Sequence, residues 1–197
     1  SDRLKFSLAY RFQFSLFLKK FNNVIINKIN NDDYDLIWFE KPIFILEDTL
    51  RFINRLGIKT VSYNPDNPFG ARDDGCWGLY LKNIKQFTHH IISRRSNYKD
   101  LKKMNAKDII YIPLCSEKRI HFKERNIKKE YDLTFIGTPY DNRIEFIDQL
   151  SMQLSTSIHV FSAEWRKFKK ILGSRPNVMI NDAIYNSKYR TIINRSK

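Results

Sequence analysis

The period of the apolar positions changes repeatedly along this chain, and each change predicts an element. From about residue 4 to 30 the rhythm is helical. Phe6, Tyr10, Phe14, Phe17 and Phe21 recur at spacings of four, four, three and four, one stripe on one face. Arg3, Lys5, Arg11, Lys19 and Lys20 lie between them. The stripe reads as a face that packs on a sheet, although a helix of this composition can also lie in a membrane interface. Short apolar runs then alternate with helical ones. Strands are expected at 35–39, 58–63, 90–93 and 109–113, and helices at 46–56, 77–86 and 97–104. Gly57 is a natural stop for the helix before it, and Pro113 ends the last strand. Such alternation predicts right-handed βαβ units around a parallel sheet.

Between 116 and 130 the chain turns polar and highly charged, which marks a linker. A second series follows, with strands at 132–136, 158–161 and 177–180 and helices at 142–154, 163–172 and 185–195. The expected fold is α/β with two Rossmann-like parallel-sheet domains, 1–115 and 131–197. The first lacks an opening strand and the second stops inside a helical pattern, so the chain reads as a piece of a longer protein.

Composition narrows the classes. Hydrophobic residues make up 42% of the 197 and aromatic ones 14%, a globular rather than a disordered balance. No apolar run is long enough to span a bilayer. Two cysteines, Cys76 and Cys115, have neither disulfide-framework nor zinc spacing, which favours a reducing cytoplasm. The net charge of +14 invites an anionic partner. The lysines are scattered and accompanied by many Asn and Ile, so nucleic acid is an unlikely partner; attraction to an acidic surface, including the inner face of a membrane, fits better.

Two loops carry candidate chemistry. At Leu133 to Ile136 a strand runs into Gly137, Thr138 and a helix opening near Asp141 or Asn142. A strand–turn–helix of this kind offers backbone N–H groups and a positive helix end to phosphate. Arg143 in the first turn adds a cation. Gly137 stands alone, without the Gly-x-Gly-x-x-Gly or Walker pattern, so a turn with no ligand is an equal reading. The second loop is Tyr63-Asn64-Pro65-Asp66-Asn67-Pro68-Phe69, stiffened by its prolines. Asp66, at the end of a strand, could accept a proton from a substrate hydroxyl; the alternative is an Asx-turn in which it bonds its own backbone. Asn64, Asn67 and Arg72 complete this edge. Trp77 and Tyr80 read as core. His89 and His90 are adjacent in a strand and face opposite sides, and His159 lies in an apolar strand as a core residue. No metal spacing, Gly-x-Ser-x-Gly or His-Glu-x-x-His pattern occurs, which argues against hydrolase chemistry.

The elements Tyr34 to Lys41, Leu56 to Phe69, Ser93 to Asn97, Tyr111 to Leu114 and Tyr131 to Thr138 with Asn142 and Arg143 run in an order that resembles the group 1-like glycosyltransferases of the spore-maturation-protein-like family. The resemblance covers residues 35–197 and implies the two-Rossmann-domain GT-B architecture. It implies transfer of a sugar from a nucleotide-sugar donor, UDP- or GDP-linked, to a glycan, lipid-linked or protein acceptor. No cofactor or metal would be obligatory. By the same resemblance Gly137, Thr138 and Arg143 would face the donor diphosphate. Asp66 would stand on the acceptor side as general base in an inverting enzyme, with Asn64, Asn67 and Arg72 beside it. The stretch that grips the nucleotide ribose would lie beyond Lys197, so this piece alone is expected to be inactive. The competing expectation is a non-catalytic basic module binding an anionic surface or polymer.

Overall fold

The computed structural model describes residues 4, 6–8, 10, 13, 16–70 and 76–197. They form two compact units, Ser1–Leu114 and Cys115–Lys197. In the first, α1 (Leu16–Asn31) is followed by β1 (Leu36–Glu40), α2 (Glu47–Arg55), β2 (Lys59–Asn64), α3 (Gly78–Asn83), β3 (His89–Ile92), α4 (Asn97–Lys103) and β4 (Ile109–Tyr111). The four strands pair in parallel in the order β1-β2-β3-β4. The second unit runs β5 (Leu133–Ile136), α5 (Arg143–Gln153), β6 (Ile158–Phe161), a 3₁₀ turn at Ala163–Phe168, α6 (Lys169–Leu172), β7 (Val178–Asn181) and α7 (Ser187–Arg195). Its three strands are also parallel, in the order β5-β6-β7. After α7 the chain returns to β5, where Ser196 pairs in parallel with Tyr131.

Strand burial follows position. β2 is flanked on both sides, and Thr60, Val61, Ser62 and Asn64 are buried; β1, with one neighbour, leaves Leu36 and Trp38 exposed. The first core gathers Leu50 and Ile53 of α2, Tyr80, Ile84, Phe87, Ile92 and Leu101. Trp77 and Tyr80 are buried within it, as the sequence predicts. Glu47 and Asp48 in the first turn of α2 and Arg55 in the last complement its dipole. Gly57 ends that stretch at φ 76, a conformation that a side chain resists. The second core is smaller and centres on Ile147, Ile158, Val160, Trp165 and Leu172.

The N-terminal segment departs from the expected continuous helix. Gln13 stands at φ 50, in the left-handed region, so the helical path breaks there. Its side chain explains the break: the amide nitrogen donates to the carbonyls of Ile43 and Cys76, and the Leu79 N–H donates to its oxygen. The aromatic stripe also behaves differently. Phe6, Tyr10, Phe17 and Phe21 gather around Phe44 in edge and stacked contacts instead of covering the sheet. Phe14 lies outside the described residues. The contact of α1 with its unit runs through Leu18, Asn22 and Ile29, all buried. Asn22 donates to Leu18 O and Phe44 O at 2.8 and 2.9 Å and accepts from Leu46 N at 2.9 Å, which clamps α1 to the chain entering α2.

Candidate functional site

In the first unit the registers Glu40↔Tyr63 and Asn64↔Ile92 end three strands at one edge. Lys41 turns immediately after β1 at φ 48 while its N–H still bonds Tyr63 O at 2.8 Å. Its ammonium reaches the Asp66 carboxylate at 2.8 Å and lies 5.2 Å from the Trp77 ring centre. The loop beneath is held by its asparagines. Asn64 Oδ1 accepts from the Asp66 N–H at 3.0 Å, and Asn67 Oδ1 from the Phe69 N–H at 3.1 Å. The Asx-turn therefore belongs to Asn64, and the Asp66 carboxylate is turned to Lys41 rather than to its own backbone. Asn97 Nδ2 fixes the Asp66 carbonyl at 2.8 Å, and Arg94 approaches the Pro65 carbonyl at 3.4 Å. Among the described residues the buried Asn64 Nδ2 finds no hydrogen-bond partner, and neither does the buried Ser93 Oγ just after β3. This edge thus offers a partly exposed carboxylate and ammonium to a polar ligand. Arg72 falls outside the described residues.

Beneath the edge lies a buried polar chain. His90 Nε2 is 3.0 Å from the Ile84 carbonyl, which can only accept, so this nitrogen carries the proton. Nδ1 then accepts from the Ser62 hydroxyl at 3.0 Å, and the Tyr80 hydroxyl stands 3.5 Å from Ser62 Oγ. Burial pushes His90 down to about 4 and raises Tyr80. Ser62 and His90 have the contact of a nucleophile and its base, but both are fully buried, so the pair is structural. His89 on the opposite face is only half-buried, and so is His159, which lies edge-on to Tyr131 at 4.8 Å instead of sitting in the core.

In the second unit the predicted strand–turn–helix is present. The Gly137 N–H continues the ladder to Phe161 O at 3.2 Å, and its carbonyl accepts from the buried Trp165 indole at 2.7 Å. Both polar groups of Gly137 are therefore used by the fold. Arg143 Nη1 donates to the Thr138 carbonyl at 2.9 Å, and its guanidinium lies 5.9 Å from the Phe135 ring centre. Gly137, Thr138 and Arg143 are thus brought together at the carboxyl end of β5. Asn142, the residue before α5, makes no side-chain cap; the Arg143 N–H donates to the Tyr140 carbonyl at 3.2 Å and the Phe146 N–H to that of Asn142 at 2.9 Å, which leaves the Ile144 and Glu145 amides of the first turn. A hollow of about 940 Å³ elsewhere in this unit is lined by Ile120, Phe122, Tyr185, Tyr189, Lys129 and Arg190 among others. None of the sequence-predicted residues lines it. Two of its cations are already engaged: Arg190 pairs with Glu124 at 2.8 Å and Lys129 donates to the carbonyls of Asn194 and Ser196.

The sequence motifs that end at Lys41 and Asn97 assign neither residue a role, and Trp165 lies outside the motifs. The signal for Lys41 and Asp66 is positional, since Lys41 directly follows β1 and Asp66 comes two residues after the end of β2, its parallel neighbour.

No protein-family model matches the chain, and no curated protein matches it. Among solved structures it resembles TarM, with a TM-score of 0.66 over 87% of this chain at 12% identity. It also resembles the UDP-GlcNAc 2-epimerase from Methanocaldococcus jannaschii, with a TM-score of 0.59 over 91% at 9% identity. The chain spans 37% of the first structure and 59% of the second. At such identities the likeness speaks for the fold: two parallel-sheet α/β units of the GT-B type.

Proposed function

We propose that this chain belongs to a glycosyltransferase that moves a sugar from a nucleotide-sugar donor to an acceptor. The observation that carries the reading is the Gly137–Thr138–Arg143 turn at the carboxyl end of β5. β6 flanks β5 on one side and the chain returns to it after β7, so β5 is where the connections change direction, the position at which open α/β sheets take ligands. In this proposal Arg143 releases the Thr138 carbonyl and pairs with the donor diphosphate, while the Ile144 and Glu145 amides in the first turn of α5 add theirs. Gly137 contributes the close approach, not a hydrogen bond. Asp66, Asn64 and Asn67 form the acceptor side, with Asp66 as base and Lys41 beside it; Arg72 is assigned there from the sequence alone.

The epimerase among the structural neighbours is named for a UDP-sugar, which supports UDP over other carriers, with GDP as the competing choice. The finer assignment to the spore-maturation-protein-like family and to hexosyl transfer rests on the sequence motifs. The acceptor is a glycan, a lipid-linked sugar or a protein, no metal is obligatory, and the reaction is set in the cytoplasm. Saturation-transfer NMR of this chain with UDP, GDP, CMP and ATP, beside Arg143→Ala, tests the reading. Contact with one diphosphate nucleotide that vanishes in the variant supports it. Equal weak signals from all four, unchanged in Arg143→Ala, point instead to a basic module attracted to any anion.

A further inference from the structure

Among the described residues, the side of α1 turned away from its unit is left uncovered, while Phe17 and Phe21 on its flank meet Phe44. Asn22, Leu18 and Ile29 turn inward; at 3.6 residues per turn Leu16, Lys20 and Val24 fall on the opposite side with Asn27 and Asn31 among them, and Phe17, Lys28 and Phe21 lie on the flank. Leu16 is 79% exposed, Val24 66% and Phe21 39%, which is unusual exposure for such side chains on one short helix. The preceding segment extends the surface. Phe6 is 48% exposed and lies edge-on to Phe17, with ring centres 6.3 Å apart. The charge on this stretch has a single sign: residues 3–31 hold Arg3, Lys5, Arg11, Lys19, Lys20 and Lys28 and no acidic residue. Lys19 and Lys20 are exposed; Lys28 is 3.5 Å from Asp32, just past the helix.

We propose that this face docks the protein on an anionic lipid surface. Apolar side chains interleaved with lysines on one side of a clamped helix are what an interfacial helix needs. The apolar groups enter the headgroup–acyl boundary, and the lysine stems lie along it with their ammonium groups among the lipid phosphates. A protein partner of ordinary composition would meet the lysines with carboxylates, whereas an anionic bilayer offers apolar depth and negative charge together. No helix among the described residues is long and apolar enough to cross a membrane, so the contact is peripheral through this face. The inference does not depend on the transferase reading.

The test is flotation of the 197-residue chain with phosphatidylcholine vesicles, with and without phosphatidylglycerol. The chain is expected to float with the anionic vesicles and far less with the neutral ones. Leu16→Asn/Val24→Asn lowers the partition by roughly tenfold or more, and Lys19→Gln/Lys20→Gln lowers it too and flattens its salt dependence. Both pairs are exposed, and circular dichroism checks the fold. A second measurement avoids the double variants. A polarity-sensitive dye on Val24→Cys, in a Cys115→Ser background, should shift to the blue on anionic vesicles, and the same dye on Lys188→Cys should not. No flotation, flotation untouched by Leu16→Asn/Val24→Asn, or a dimer in solution that this double variant dissolves would each overturn the proposal.

Discussion

The Lys41 ammonium lies 2.8 Å from the Asp66 carboxylate, although 25 residues separate them, because the parallel register of β1 and β2 delivers both to one sheet edge. Both side chains remain more than a third exposed, so the pair contributes less than about 1 kcal/mol to stability. The loop is shaped instead by Asn64 and Asn97, which hold the Asp66 backbone. Asp66→Asn should therefore keep the fold and melting temperature. In the whole protein it should lower kcat by about 10²- to 10⁴-fold with little change in KM. Full kcat in a folded Asp66→Asn protein would remove the base role.

His90 gives the first unit an acid sensitivity. Burial holds its folded value at about 4 against 6.5 for a free imidazole. Because the folded value is depressed, the unfolded chain takes up the proton first as pH falls. The stabilisation is fully present above about pH 6.5 and is lost progressively down to about 4, below which it stays flat. The total is roughly 3 kcal/mol. Urea unfolding at pH 7, 6 and 5 should show that decline, and His90→Gln should flatten it while lowering stability at pH 7. An identical slope in the variant would place the acid sensitivity in other groups.

Most of this architecture was legible in the chain because each strand is a short apolar run between polar turns; the run Ile158 to Phe161 matches β6 residue for residue. Helix type was harder to read. Ala163 to Leu172 has helical spacing, yet the Ser162 hydroxyl accepts from the Glu164 N–H and Trp165 turns to the Gly137 carbonyl, which tightens the first six residues into a 3₁₀ turn. The break at Gln13 was equally hidden, since its cause lies in carbonyls 30 and 63 residues away. At the candidate site the sequence marked Asp66 and Arg143 by type, but not their partners. Lys41 meets Asp66 only through sheet register, and Arg143 folds back on Thr138 through the turn geometry.

Trp165 couples the second core to the β5 turn. Its indole donates to the Gly137 carbonyl at 2.7 Å, and its ring meets Phe135 edge-on at 5.7 Å. Trp165→Phe keeps an aromatic ring but leaves that carbonyl without its donor, at a cost of about 1–3 kcal/mol. The second unit should melt several degrees lower. Calorimetry of the variant reads this directly. An unchanged transition would mean that water replaces the indole and that Trp165 does not fix the turn.

Arg143 can be separated from the fold in the same way. Its guanidinium is half-buried and bonded to the Thr138 carbonyl, which also accepts from the Tyr140 N–H at 2.9 Å. In Arg143→Ala the carbonyl keeps that second donor, so the turn and the melting temperature should survive. What is lost is the cation at the end of β5. A guanidinium on a diphosphate forms charge-assisted hydrogen bonds worth about 1.5–3 kcal/mol. The dissociation constant for the preferred nucleoside diphosphate should therefore rise by about ten- to a hundredfold, with the nucleoside alone little affected. Titration calorimetry with UDP and with uridine makes the comparison. Equal weakening of both would tie Arg143 to the shape of the pocket, whereas loss confined to the diphosphate is what a phosphate ligand requires.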